Sequence, residues 1–432
     1  MRRLFYRFGR ELARIGTACE GNVALVFGFG LPVLVGLAGM GMDTAAVNNQ
    51  QSRMQWVADA TALAVGKEMQ LYLEDLDPLR RSGIQRAEAL LAEAGLAHHP
   101  HMIGITFDEE KAVTRVQIAM QTDTFLPAVW GDDPINVSAE ANVYGMARLC
   151  ILSLTDRSGR VLNIEGARVT APECAVQSNS TATDGLSASG VSLLVSSYTC
   201  SAGGYEGSLT VFLPVPETDC PILQDPLAMR EPPAMGGCDF NDTEIREPSR
   251  TIQPGHYCGG LKIEQGARVT AEPGIYIISG GRLEVKDTAS LRGEDVSFYF
   301  ADDDAKFEFR DEAVVELSGA SKGPMAGILF YEDRSAQAGR EFMISSDSVR
   351  KLIGTIYLPR GTFKASAAEA GVLPLPGAPL EIIGAASTYT IIVANKIELA
   401  GVNLVINSDY GISDVPVPPG LGPNSSKVKL IN

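Results

Sequence analysis

Two eleven-residue stretches a hundred positions apart, Val161–Ala171 (VLNIEGARVTA) and Leu261–Ala271 (LKIEQGARVTA), are near copies of one another. An internal repeat restricts a chain to folds that stack one unit on the next. Shorter echoes follow at Leu283 (LEVKDTASL) and Phe307 (FEFRDEAVVEL), and Ala267, Ala289 and Ala313 stand 22 and 24 residues apart. A second strand type interleaves with these at 274–278, 296–300, 327–331, 354–358 and 390–393. Short strands between Gly and Asp turns, repeating every 20 to 30 residues without helix signals, predict a right-handed parallel β-helix. One rung cannot bury its own inward face, so stacking supplies the core. The coil is expected from about residue 150 to 412, with a Pro- and Cys-rich excursion at 214–256 and an interruption at 365–379. Residues 413–432, with Pro416, Pro418 and Pro419, read as a flexible tail.

The other constraint lies at the opposite end of the chain. Gly21 to Met42 (GNVALVFGFGLPVLVGLAGMGM) contains no charge over 22 residues. At about 1.5 Å per residue it reaches roughly 33 Å, enough for a transmembrane helix, with a kink expected at Pro32. Residues 1–20 carry five arginines and two glutamates, whereas Arg53 is the only positive charge in 43–62, so the N-terminus is expected in the cytoplasm. The apolar run exceeds a secretory signal and no A-x-A site follows it, so it is expected to stay attached. Beyond it, Val47, Met54, Val57, Thr61, Ala64 and Val65 recur at spacings of three and four and predict an amphipathic extension of the helix. That face covers its own domain or a neighbouring chain's helix. A second helix is predicted at 83–96, then antiparallel strands at 103–107, 113–120 and 135–143. Residues 43–149 thus form an α+β region, a long helix on a small sheet, in a pilin-like layout.

Gly21-Asn22-Val23-Ala24 opening the apolar stretch, Pro32 within it, Asp43 at its exit and Val57-Ala58-Asp59-Ala60-Thr61-Ala62-Leu63-Ala64 beyond it resemble the N-terminus of TadG-like proteins of Tad (Flp) pilus assembly systems. The resemblance covers about 21–66. It implies a single-pass bacterial inner-membrane protein, its C-terminal part periplasmic, with pseudopilin-like and other pilus-machinery membrane proteins as partners and the bilayer around 21–42. Two features depart from the pattern. Val26 stands where pilin relatives carry a glutamate five residues after the processing glycine, so prepilin-type processing is not expected. Many relatives carry a von Willebrand A domain with a D-x-S-x-S metal motif, but Asp156-Arg157-Ser158-Gly159-Arg160 has Arg160 in place of the second serine.

The chain is at −16 overall, and since residues 1–20 contribute +3, the remainder is at −19. That charge argues against nucleic acid or anionic lipid as the partner of the exported part. Six cysteines, Cys150, Cys174, Cys200, Cys220, Cys238 and Cys258, lie in the β-helix region without C-x-x-C spacing and read as up to three structural disulfides. Cys174 and Cys200 are 26 residues apart, about one rung, and are the favoured pair; the other four are left unpaired.

No residue reads as catalytic, cofactor-binding or metal-binding. His98, His99 and His101 sit on one loop and read as a solvated connection, Asp302-Asp303-Asp304 as a solvated turn, and His256 as a packed turn residue. The G-H-G and R-I-K companions of galacturonase-like hydrolases are absent, as are a phosphate loop, a serine elbow and H-E-x-x-H. The expected function is a non-enzymatic, membrane-anchored component of a pilus assembly apparatus whose β-helix is a contact or adhesion surface. The alternative is a tethered polysaccharide-binding or polysaccharide-cleaving β-helix, which an aromatic row along one flank would favour. A third reading is a scaffold polymerising end to end through exposed rungs.

Overall fold

A computed structural model of the chain describes residues 21–69, 76–108, 113–122, 133–142, 148–346, 348–367, 381–383, 386–419 and 421. The basic segment 1–20, most of the interruption at 365–379 and the last part of the tail lie outside them. The chain divides into two compact units, residues 1–66 with 83–142, and residues 67–82 with 143–432. It is mainly β, with one long apolar N-terminal helix and one many-stranded parallel sheet, as the repeats predict.

In the first unit, helix α1 (Gly21–Met69) runs without interruption through Pro32. Phe27, Phe29, Leu31, Val33, Leu34, Val35 and Leu37 are all exposed on it, an apolar surface with no protein cover. Among the described residues it is the one helix long and apolar enough to cross a membrane. Further along, Met54, Val57, Ala58, Thr61, Ala62 and Val65 are buried, so the predicted three-and-four stripe is the packed face. Helix α2 (Asp77–Glu93) approaches so closely that a Cβ on Gly83 would stand 2.7 Å from both Val65 and Ile105, which is why glycine occupies that position. Strands β1 (His101–Asp108), β2 (Val113–Met120) and β3 (Ile135–Asn142) form an antiparallel sheet in the order 1-2-3. Their inward side chains Ile105, Val116, Ile118 and Val137 are buried, and Gln55 of α1 donates to the Ser138 carbonyl at 3.1 Å.

The second unit is a solenoid of parallel strands in a β-helix-like coil, and its rungs can be followed one by one. The rung made by Phe240–Ile245 and Ser249–Ile252 stands at one end and, among the described residues, pairs only with the next, Gly255–Ile263 and Arg268–Ala271. Strands Gly274–Ser279, Val296–Phe300, Ile328–Glu332, Val349–Ser366 and Thr390–Ala400 follow in sequence order. The strand Thr390–Ala400 then pairs with Arg148–Ser153 and Leu162–Glu165 from the beginning of the unit, Ile392 opposite Ile151. Beyond those lie the rungs starting near Cys174 and Tyr198. The rungs numbered here from the Phe240 end are therefore 1 to 7 (residues 240–405) and 8 to 10 (residues 148–213).

The stacking order departs from chain order: residues 148–213 stack beyond the strand from Thr390, away from the rung at Phe240. The excursion is shorter than expected, because Phe240–Ile252 already forms rung 1, and residues 214–239 are a crossover from one end of the solenoid to the other. Nine strand spacings of about 4.8 Å make that journey about 43 Å, within reach of 26 residues at about 3.3 Å each. The two near-identical stretches consequently sit six rungs apart, on rungs 8 and 2.

Inside the coil, Phe240, Tyr257, Tyr276, Phe298 and Phe330 stack in one column, with centroids 4.5, 5.9, 5.0 and 5.9 Å apart. Ala267, Ala289 and Ala313 are completely buried at one corner. Just before them Gln265, Asp287 and Asp311 adopt left-handed φ near 57°, a strained state for a side chain. The Gln265 N–H donates to Asp287 at 2.9 Å and the Asp287 N–H to Asp311 at 3.1 Å, a ladder that holds the turn. The repeat in the sequence is the chemical requirement of this corner: a turn former, then a small inward residue.

The three disulfides are Cys150–Cys174, Cys200–Cys220 and Cys238–Cys258, with Cα separations of 5.5, 6.2 and 5.7 Å. The favoured Cys174–Cys200 pairing is therefore incorrect. The register shifts between Ala171 and Ala175, so Cys200 stands opposite Gln177. Cys174 points into the core beside Cys150, whereas Cys200 joins Ala175, Tyr198 and Cys220 in a separate cluster. Spacing alone counted one rung but not the two extra residues of the bulge.

Candidate interaction surfaces

One outward column of the solenoid organises its surface. Register places His256, Ile277, Tyr299, Tyr331, Tyr357, Val393, Leu152, Gln177 and Cys200 on successive rungs, neighbour beside neighbour. The crossover follows this column from end to end as a strap. Its first anchor is Cys220, bonded to Cys200. Gln177 then donates to the Pro221 carbonyl at 3.4 Å, and Asn179 exchanges two hydrogen bonds with the Leu223 backbone at 2.8 and 2.9 Å. Tyr357 donates to Asp225 at 2.6 Å and Tyr331 to the Arg230 carbonyl at 2.8 Å. At the far end the His256 ring donates from Nδ1 to the Gly236 carbonyl at 3.0 Å, and Cys238 is bonded to Cys258.

Arg334 clamps the middle of the strap. Its guanidinium donates to the carbonyls of Leu227 and Arg230 and to the Tyr357 hydroxyl, and lies 5.5 and 5.3 Å from the Tyr331 and Tyr357 ring centroids. Burial raises the Tyr299, Tyr331 and Tyr357 phenols above their ordinary range, so these hydroxyls stay protonated donors. A second segment lies along the same face further on: Tyr389 donates to the Pro416 carbonyl at 2.7 Å, and Val415 and Leu421 are buried. Gly327 has φ of 82°, and a Cβ there would come within 2.3 Å of Pro416 O, so this contact requires glycine. The aromatic row that would serve a glycan-binding flank is thus present, but lies under protein with its hydroxyls engaged.

The adjoining outward face is covered by charges instead. Glu264 is held by Arg246 and Lys286, Glu284 by Arg310, and Glu308 by Arg282 and Lys306. The hydrogen bond from Lys286, and then that from Arg246, pull the Glu264 carboxyl down to about 2. Nearby, Glu332 is fully buried and bonded to Arg340 at 2.7 Å and to the N–H groups of Arg360 and Gly361 at 2.8 Å. Desolvation raises its carboxyl above the usual range against these opposing bonds. Arg340 also donates to the carbonyls of Asp302 and Ala305, so this pair fastens the corners of rungs 4, 5 and 6.

In the first unit a shallow groove of about 510 Å³ crosses the outer face of the sheet, lined by Met102, Gly104, Gln117, Ala119, Asn136 and Ser138. Gly104 stands opposite Gln117, and Gln117 opposite Ser138, so small residues lower the middle of the face.

The histidine loop brings no ligand set together. His101 opens β1 with Nε2 at 2.9 Å from Glu88 and Nδ1 at 2.7 Å from the His99 carbonyl, a bond that raises its pKa, while His98 and His99 face one another at 4.1 Å. The Asp302-Asp303-Asp304 carboxylates serve turns: Asp302 accepts from Gly280, Asp304 and Ala305, and Asp303 from Gln337. His256, Cys238 and Cys258 cluster tightly, but both sulfurs are spent in a disulfide. Sequence reasoning marked the strap only as a Pro- and Cys-rich excursion within 214–256, and missed Arg334 and the face on which the strap lies.

Residues 21–68 match a family model described as "Putative Flp pilus-assembly TadE/G-like". That is a pilus-assembly family, not a family of enzymes, and together with the exposed apolar helix it fits a membrane-anchored protein. No curated protein and no solved structure matches the chain.

Proposed function

We propose that this chain is a non-enzymatic, single-pass inner-membrane component of a Tad/Flp-type pilus assembly apparatus. The observation that carries the reading is that residues matching the TadE/G-like model coincide with α1, whose first part is bare and apolar and whose second part is the packing helix of a folded unit. Arginines precede the span and few positive charges follow it, which supports a cytoplasmic N-terminus and a periplasmic solenoid. The first unit offers its sheet groove to pseudopilin-like membrane partners, and the disulfide-bonded solenoid serves as a contact or adhesion surface. Disulfides on the exported side agree with an oxidising compartment.

Gene deletion with complementation tests this. Full-length protein is expected to restore surface pili and attachment, and a version stopped after residue 149 is expected to fail. Unchanged pili in the deletion strain would remove the pilus reading and bring the polysaccharide reading forward. The burial of Tyr299, Tyr331 and Tyr357, the last two bonded to the strap, weighs against that second reading.

A further inference from the structure

We infer that Cys238–Cys258 is a site of thiol–disulfide exchange, at which a dithiol oxidoreductase opens and recloses the far anchor of the strap. The inference is independent of the pilus reading. Access distinguishes this disulfide from the other two. Cys238 is exposed and Cys258 half-buried, whereas Cys150, Cys174, Cys200 and Cys220 are all buried. The approach is clear as well: Gly236 and Gly237 precede Cys238, and a Cβ at either would meet nothing within 4 Å. An incoming thiolate therefore reaches Cys238 Sγ, and Cys258 becomes the leaving group.

The leaving group has a partner waiting. His256 Nε2 lies 3.5 Å from Cys258 Sγ and 2.7 Å from Ser279 Oγ, and the Gly236 carbonyl fixes the ring through Nδ1. Asp239 accepts from the His256 backbone N–H at 2.9 Å and holds the two chain segments in register. In the first step a thiolate of the dithiol bonds to Cys238 Sγ, the sulfur–sulfur bond breaks, and its electron pair leaves on Cys258. That thiolate takes up a proton from solvent, equal to the one the attacking thiol released on ionising. The second thiol of the dithiol then attacks the mixed disulfide and releases Cys238. The dithiol is oxidised to a disulfide, and the protein gains two electrons and two protons.

The consequence follows from position. Cys238 ends the strap, and opening its bond frees the exposed stretch 234–237 between the buried Pro233 and the Asp239 contacts, with the Gly236 carbonyl still bonded to His256, while Cys220, Asn179 and Arg334 fasten the rest. Differential alkylation of the oxidised full-length protein in detergent, with timed additions of dithiothreitol and mass-spectrometric readout, tests the site. Cys238–Cys258 is expected to open at least about tenfold faster than either other disulfide, because exchange rate follows access and leaving-group stabilisation. His256→Gln is expected to slow that opening at least about threefold and leave the other two unchanged. A Cys-x-x-Cys oxidoreductase whose resolving cysteine is replaced by serine is expected to be trapped on Cys238. Simultaneous opening of all three bonds, an unaffected rate in His256→Gln, or trapping at another cysteine would each overturn the assignment.

Discussion

Rungs 3 to 6 and rungs 8 to 10 belong to one solenoid but hold themselves together by different means. The former fill their interior with Tyr276, Phe298, Phe300, Phe307, Phe309, Phe330, Phe342 and Phe363, all completely buried. The latter have Leu162, Ile164, Ala167, Val169, Ala171, Val176, Leu186 and Ala188, with Phe212 as a plug. Large rings bury more area per rung, so the aromatic half draws its cohesion from the hydrophobic effect. The aliphatic half adds covalent bonds: Cys150–Cys174 inside the core and Cys200–Cys220 where the strap begins. Its corners also stack backbone on backbone, since a Cβ on Gly203 would lie 2.3 Å from the Ala182 carbonyl oxygen. A solenoid can be stabilised by wide inward residues or by narrow ones locked in place, and this chain uses both.

The contrast can be broken at its strongest point first. Phe307 sits among Phe300, Phe309, Phe330 and Phe342 with centroids 4.7 to 5.8 Å away, so Phe307→Ala is expected to cost about 3–5 kcal/mol in urea denaturation. Replacing Cys150 and Cys174 together by alanine is expected to cost about 2–4 kcal/mol, with hydrogen exchange rising in rungs 8 to 10 and little changed in rungs 3 to 6. Equal loss of protection in both halves would mean that the disulfide does not act locally. Arg334→Ala removes the clamp common to strap and tyrosine row and is expected to cost about 1–3 kcal/mol, with faster proteolysis between residues 225 and 235.

The smallest effect concerns acid. The Glu264 carboxyl titrates near 2 in the folded protein, below its ordinary 4.5, so its contribution is complete above pH 4.5 and is lost as pH falls toward 2. Glu264→Gln is expected to lower the melting temperature by at most about 2 °C at pH 7 and to leave the difference near zero at pH 2. A difference that persists at pH 2 would show that packing, rather than charge, is what the glutamate supplies.

Much of this architecture is legible in the sequence because its requirements are local. The corner that demands a turn former followed by Ala267, Ala289 or Ala313 writes itself as a repeat, and a helix with a bare apolar surface writes itself as a run without charge. Which rung lies on which is not local. A parallel strand such as Arg148–Ser153 pairs with Thr390–Ala400 through backbone groups that every strand possesses, so its neighbour leaves no mark in its own residues. The Cys174 partner was hidden for a related reason, a bulge that spacing cannot reveal. Arg334 was hidden because its ligands are carbonyls of a distant segment.

The order of the rungs also sets a timetable. The ribosome delivers residues 148–213 first, yet one side of that block has no neighbour until the strand from Thr390 to Ala400 has been made. Some 240 residues separate Ile151 from Ile392. A solenoid whose rungs follow chain order can grow by simple addition, whereas this one must keep its opening segment waiting with an unpaired edge. Closure at the junction of rungs 7 and 8 is thus among the last events of assembly, and the high sequence separation of that junction makes it slow.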